Sequence, residues 1–339
     1  DKAINRSNLL STLIKKCDND IDSLYLNHAL ALEYEKQGDF KQSFATIENA
    51  KLNRLSEINY RFEEDEDMFS LIMNTFERKE IDESDGYNSE SPIFVTGMPR
   101  TGTTLVERIL TNRNGVKSVG ELHNFELLLK ERIGWDGTKF NSLEDPNLLG
   151  NLNFEELGEA YIDSVIPFLG SCDKFVDKLP LNVLFAGFII KALPKCKVVC
   201  LERDPLDTIV SNFRQVFSPQ YSYCNYSLSI KDTTKFFILF KQLVEFWYQL
   251  FPENFYIINY EQLVDCPEIE AKKLYEFCEI DWTADSLNIM QNKSPVATAS
   301  ALQVRSSINK KSINRWRNYE GNLTEVISML SKTGYLTRK

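Results

Sequence analysis

The run Ile93-Phe94-Val95-Thr96-Gly97-Met98-Pro99-Arg100-Thr101-Gly102-Thr103-Thr104 passes from apolar, β-favouring residues through two glycines to a pair of threonines. That order predicts a buried strand, a tight loop and a helix start. Its spacing follows G-x-x-x-x-G-K-[ST], with Thr103 where the lysine would stand. Loops of this kind hold anions: glycines let the backbone come close, and amides at a helix N-terminus point at negative charge. Thr103 and Thr104 add hydroxyl donors, and Arg100 places a fixed, forked positive charge inside the loop. Arg100, Thr101, Gly102, Thr103 and Thr104 are therefore the first anion-binding candidates. The missing lysine changes the expected chemistry. A Mg-dependent NTPase needs it on the β- and γ-phosphates, together with an acidic metal ligand after another strand, and the sequence offers no matching acid. The plainer alternative is a turn that merely joins strand to helix. Strand, loop, hydroxyls and helix start occurring together favour the anion.

Two further segments carry compatible chemistry. Val198-Val199-Cys200-Leu201-Glu202-Arg203-Asp204-Pro205 reads as a strand running into a Pro-initiated helix, with Ser211 eight residues beyond Arg203. Taken alone, Arg-Asp-Pro is a common helix start, the aspartate capping and the proline filling the first turn. Residues 287–319 contain no acidic side chain, yet they carry Lys293, Arg305, Lys310, Lys311, Arg315 and Arg317 in a chain of net charge −10. Such a concentration of positive charge suits a segment closing over an anionic ligand. A solvated basic face is the simpler reading of charge alone.

These segments need a scaffold. β-rich runs at 93–96, 174–176, 197–201 and 255–260 alternate with helical stretches at 103–110, 181–193, 206–215, 234–250 and 268–278. The alternation predicts an α/β fold with a mainly parallel central sheet. In such sheets ligands sit at the carboxyl ends of the strands. Upstream, residues 21–55 read as two amphipathic helices around Gly38-Asp39, and 27–40 resemble one tetratricopeptide repeat. A single repeat needs neighbours to bury its faces, so a hairpin packed on the main domain reads equally well. Residues 79–91 are acid-rich and read as a solvated linker.

Composition narrows the function classes. The chain of 339 residues, 43% of them hydrophobic, has room for a real core, as one large domain or as one domain of about 250 residues with a helical extension. Its acidic balance argues against a general nucleic-acid binder. No stretch reaches 18 uninterrupted apolar residues, so no membrane span is expected. The seven cysteines form no CxxC pair and only two histidines exist. Neither a structural metal site nor a disulfide framework is therefore indicated, and a reduced cytoplasm is the expected compartment. The first six residues lack the apolar core of a signal peptide. The chain begins at Asp1, not Met, and reads as an excised piece of a longer protein that could carry further repeats.

Gly97-Met98-Pro99-Arg100-Thr101-Gly102-Thr103-Thr104 resembles the 5′-phosphosulfate loop of sulfotransferases, which use 3′-phosphoadenosine 5′-phosphosulfate as donor and release 3′-phosphoadenosine 5′-phosphate. With arginine in the loop it is similar to tyrosylprotein sulfotransferases and bacterial tetratricopeptide-repeat sulfotransferases. The segment 198–211 resembles the family's 3′-phosphate site, which implies Arg203 and Ser211 as phosphate ligands. Residues 300–305 and 312–317 look like its closing segment, implying Arg305 and Arg315 at the nucleotide, and 260–264 and 274–278 also match. The resemblance spans roughly 92–320. It implies a P-loop-like, three-layer fold, with a helical, tetratricopeptide-like extension at 1–78, a linker at 79–91 and a sulfotransferase domain at 92–339.

Sulfuryl transfer needs an acceptor hydroxyl in line, a base for its proton, and positive charge on the departing phosphate oxygen. A sulfuryl group carries one formal negative charge where a phosphoryl carries two, so fixed Arg, Lys and amides are expected to serve without a metal. The resemblance implies Glu121, eighteen residues past Thr103, as the general base. His123 is its rival, because histidine is better tuned to neutral pH, whereas a glutamate needs its pKa raised by burial. Lys178, after a short strand, resembles the family lysine that stabilises the leaving group, a role shared with Arg100. Ser300 is a further candidate contact to the transferring group. The acceptor stays open among a peptide tyrosine, a saccharide and a small hydroxyl compound. Two other functions stay in view: a P-loop nucleotide kinase, and a non-catalytic nucleotide-binding scaffold whose N-terminal helices recruit a protein partner.

Overall fold

The computed structural model of the chain describes residues 6–77, 86–134, 148–219, 222–289 and 308–336. Lys293, Ser300 and Arg305, and most of 79–91, lie outside the described residues. The chain divides into two compact units interleaved along the sequence, one of Asp1–Asp65, Asp204–Leu239 and Ser312–Lys339, the other of Glu66–Arg203 and Phe240–Lys311.

The first unit holds the N-terminal helices up to Asp65. Helices Asp20–Lys36 and Phe40–Glu57 form a hairpin, each capped by the side chain before it. Asn19 accepts from the amides of Ile21 and Asp22, and Asp39 from that of Gln42. Such caps satisfy amides that have no partner inside the helix. Phe44 faces Phe213 and Tyr319, with ring centroids 5.1 and 6.1 Å apart. Lys51 is fully buried, and its Nζ donates to the Gln215 and Ser227 carbonyls at 2.8 Å each. Burial pushes its pKa down to about 7.

The second unit is built on five parallel strands: β1 (Pro92–Gly97), β2 (Val116–Gly120), β3 (Lys174–Asp177), β4 (Lys197–Glu202) and β5 (Phe255–Asn259). Their order is β2-β3-β1-β4-β5, the α/β architecture expected. The central strand β1 is buried along its whole length, which accounts for its unbroken apolar run. Every residue of the helix Thr103–Leu110 is buried as well. A cluster of Phe94, Phe125, Tyr161 and Phe175 fills part of the core. Another joins Phe76, Phe188, Trp247 and Phe251, with the Trp247 indole donating to the Val183 carbonyl at 2.9 Å.

The differences from expectation have physical causes. The strand β2 was not anticipated: Val116-Lys117-Ser118-Val119-Gly120 is half polar and lies at a sheet edge, where only part of each residue is covered. The helix expected over 181–193 is two elements, a 3₁₀ segment Pro180–Phe185 running into an α-helix Ala186–Ala192. The described end of the acidic stretch is tied down, with the Tyr87 amide donating to the Ala192 carbonyl at 2.8 Å. Among the described residues no helix is long and apolar enough to cross a membrane.

Candidate active site

Four residues or segments singled out from the sequence stand directly after the carboxyl ends of parallel strands. Gly97 closes β1 and opens the loop to Thr103, Glu121 follows β2, Lys178 follows β3 and Arg203 follows β4. Tyr260 follows β5 in the same way. A parallel sheet with order β2-β3-β1-β4-β5 gathers all five points on one edge.

The loop is set by backbone conformation. Gly102, at φ 114°, precedes the helix Thr103–Leu110, and no side chain caps that helix start. A Cβ on Gly102 would meet the Tyr260 ring at 2.8 Å, and one on Gly97, at φ 150°, would meet the Leu201 carbonyl at 2.7 Å. Both positions therefore demand glycine. Arg100 also adopts a positive φ, 68°, which a residue with a side chain holds only at a cost of about 1–2 kcal/mol. The Thr101 hydroxyl closes the turn onto the Met98 carbonyl at 2.8 Å. Thr101, Thr103 and Thr104 are all buried.

Arg203 is tied to this loop. Its guanidinium donates to the Arg100 carbonyl at 3.4 Å, lies 4.9 Å from the Tyr260 ring centroid and stands 4.0 Å from a Glu261 carboxylate oxygen. The side chain is only 7% exposed. Tyr260 thus packs against Gly102 and under Arg203 at once.

The second cluster joins β2, β3 and the loop helix. Lys178, 1% exposed, bonds Glu121 directly, and its Nζ lies 3.9 Å from Glu107. Its backbone amide donates to the Gly120 carbonyl at 2.9 Å. Next to it, Asp177 is fully buried and accepts from the Tyr161 hydroxyl at 2.8 Å. Burial pushes the Asp177 carboxyl up to about 7, against the opposing pull of the Tyr161 hydroxyl and the Leu122 amide. Of the two base candidates only Glu121 touches Lys178. His123 pairs through Nδ1 with Glu126 at 2.9 Å, and Glu126 also takes Lys130 at 2.5 Å.

The raised Asp177 value has a measurable consequence. A carboxyl whose folded pKa exceeds its unfolded one contributes stability below the unfolded value, and that stability is lost as pH rises through the folded value. Here the window runs from about 4 to about 7. Asp177→Asn is expected to flatten the decline in unfolding free energy between about pH 4 and 7 by a few kcal/mol, read by urea denaturation. Equal slopes for both proteins would disprove the assignment.

Ser211 and Arg315 belong to the first unit. Ser211 is one helical turn beyond Asp207 on the helix Pro205–Arg214. The buried Asp207 carboxylate accepts from the amides of Asn314 and Trp316 at 2.7 and 3.0 Å. Those amides flank Arg315, so Asp207 holds the segment bearing Arg315 to the helix bearing Ser211. The Arg315 guanidinium also reaches Glu35, at 3.7 Å.

Reading the sequence did not single out Glu107, Ser118, Tyr161, Asp177 or Asp207. The one available signal was charge among apolar residues: Glu107, beside Arg108, between Leu105-Val106 and Ile109-Leu110, and Asp177 closing a β-rich run. Among the described residues no group of three His, Cys, Asp or Glu side chains is gathered to hold a metal ion.

Comparison with known proteins converges on one family. A sequence model described as the sulfotransferase family matches residues 92–284. An uncharacterized protein of Aquifex aeolicus (strain VF5) is 32% identical over 308 residues, which cover 88% of this chain and 40% of that protein. The chain therefore spans well under half of that relative's length. Protein-tyrosine sulfotransferase A of Caenorhabditis elegans is 24% identical over 267 residues, covering 74% of this chain and 69% of it. Among solved structures, the sulfotransferase domain of the Synechococcus PCC 7002 olefin synthase has a TM-score of 0.54 at 17% identity. That match covers 77% of this chain and 100% of the domain, and it is a likeness of fold.

Proposed function

The chain belongs to the sulfotransferase family, and we propose that it moves a sulfuryl group from 3′-phosphoadenosine 5′-phosphosulfate to an acceptor hydroxyl. The observation that carries this reading is the buried Lys178, held by Glu121 and lying in ion-pair range of Glu107 on the helix that opens from the phosphate loop. A base and a cation in contact, one helix removed from an anion-binding loop, are the parts this transfer requires.

In the proposed step the acceptor oxygen attacks sulfur while its proton passes to the Glu121 carboxylate. The new bond is acceptor oxygen to sulfur; the broken bond joins sulfur to the 5′-phosphate oxygen, which leaves with the electron pair. Lys178 and Arg100 supply positive charge to that leaving oxygen. Loop residues 100–104 hold the 5′-phosphosulfate, and the glycines at 97 and 102 keep its backbone approach clear of side chains. Arg203 takes the 3′-phosphate. Ser211 and Arg315 are proposed as further phosphate contacts, on the family resemblance of their segments.

The acceptor class follows from assay. Transfer of labelled sulfate is to be measured against tyrosine peptides, glycans and phenols with a chelator present, and transfer from γ-labelled ATP is to be measured separately with Mg²⁺ added. Label is expected on at least one hydroxyl acceptor. Transfer from γ-labelled ATP instead would favour a kinase, and no transfer from either donor would favour a nucleotide-binding scaffold.

A further inference from the structure

Glu107 lies on the helix Thr103–Leu110, one turn beyond Thr103, and is buried at 9% exposure. A carboxylate withdrawn from water persists where it is paired and hydrogen-bonded. One Glu107 oxygen accepts from the Ser118 hydroxyl at 2.5 Å, and the other lies 3.9 Å from Lys178 Nζ. The Ser118 oxygen in turn accepts from the Gly120 amide at 3.0 Å. The β2–β3 register shifts between these two residues. Glu107 therefore touches both parts of the proposed machinery: the lysine itself, and the strand end that carries Glu121.

We propose that Glu107 is a positioning residue that keeps Lys178 in place and charge-balanced while Glu121 takes the acceptor's proton. The inference rests on the reading of Glu121 as base and Lys178 as leaving-group cation. Before transfer, Lys178 faces two carboxylates. Once Glu121 is protonated it is neutral, and its hold on Lys178 drops from an ion pair to a hydrogen bond between an ammonium and a neutral acid. A buried ammonium left without a counter-charge is strongly disfavoured. Glu107 is the carboxylate that still faces Lys178 at that moment. Through Ser118 it also fixes the end of β2, so the base and the cation keep their spacing. Because Glu107 sits on the helix opening from the phosphate loop, the element that faces the donor also sets the lysine.

The test is Glu107→Gln in the full chain, which keeps the shape and removes the charge. We expect kcat to fall about 10–30-fold, the size of a coupling between directly interacting groups. Affinity for 3′-phosphoadenosine 5′-phosphate, read by calorimetry, should stay within about twofold. In Glu121→Gln the remaining carboxylate on Lys178 among the described residues is Glu107, so adding Glu107→Gln there should cost more in single turnover than the same substitution costs the parent. Ser118→Ala should show a smaller loss in kcat with the same unchanged affinity, and it carries the test alone if Glu107→Gln does not fold. An unchanged kcat, a loss confined to nucleotide affinity, or full additivity with Glu121→Gln would overturn the proposal. A parent chain that transfers no sulfate overturns the functional reading, and this inference with it; an active parent with an unaffected Glu107→Gln variant overturns the inference alone.

Discussion

Glu121→Ala is expected to lower kcat for sulfuryl transfer by about 10³-fold, the usual contribution of a positioned general base. Affinity for 3′-phosphoadenosine 5′-phosphate should hardly change. The two effects separate because Glu121 stands after β2, whereas the proposed donor ligands are the loop after β1 and Arg203 after β4. The substitution leaves Lys178 with Glu107 as its remaining carboxylate partner among the described residues, so the lysine keeps a counter-charge and the fold should hold. Glu121→Gln makes the complementary test, since it preserves a hydrogen-bonding side chain and removes only the basicity. Steady-state kinetics at saturating donor, paired with calorimetry of the nucleotide product, measures both quantities. A fully active Glu121→Ala protein would pass the role of base to another group, and His123→Ala would then be the variant to make.

Arg203→Ala is expected to weaken binding of 3′-phosphoadenosine 5′-phosphate by about 10²-fold, while kcat at saturating donor falls far less. The magnitude corresponds to losing one charged hydrogen-bonded contact of about 3 kcal/mol. Arg203 would act twice. It brings a guanidinium to the 3′-phosphate, and it holds the Arg100 carbonyl, which helps to keep the loop in its left-handed conformation. Arg203→Lys should recover only part of the affinity, because a lysine retains the charge but loses the fork and the stacking on Tyr260. A nucleotide lacking the 3′-phosphate supplies the control: it should lose far less affinity on Arg203→Ala than the complete nucleotide does, any residual loss reporting the loop contact. If Arg203→Ala bound the complete nucleotide as tightly as the parent, the 3′-phosphate assignment would be wrong.

The strand–loop–helix at 93–110 was legible in the sequence because its determinants are local. Strand, glycines, hydroxyls and helix start lie within twelve consecutive residues, and each residue type states its own backbone requirement. The sheet was legible for the same reason wherever a strand is buried on both faces, as β1 and β4 are, since burial writes a continuous apolar run. It was not legible at β2, whose residues are half covered and mixed in polarity. Glu121 and Lys178 therefore appeared as separate candidates 57 residues apart.

By itself, then, the sequence determined the α/β class, the strand–loop–helix at 93–110 and the arginine that follows β4, all of which rest on residues close together in the chain. Only the tertiary structure decided which of Glu121 and His123 reaches Lys178, and that Glu107 and Asp177 lie buried around it. The physical reason is strand order. Parallel strands meet through crossovers whose destination is set by the packing of the whole sheet. The adjacency of β2 to β3, and of β3 to β1, is thus a property of the assembled core that no short stretch of residues encodes.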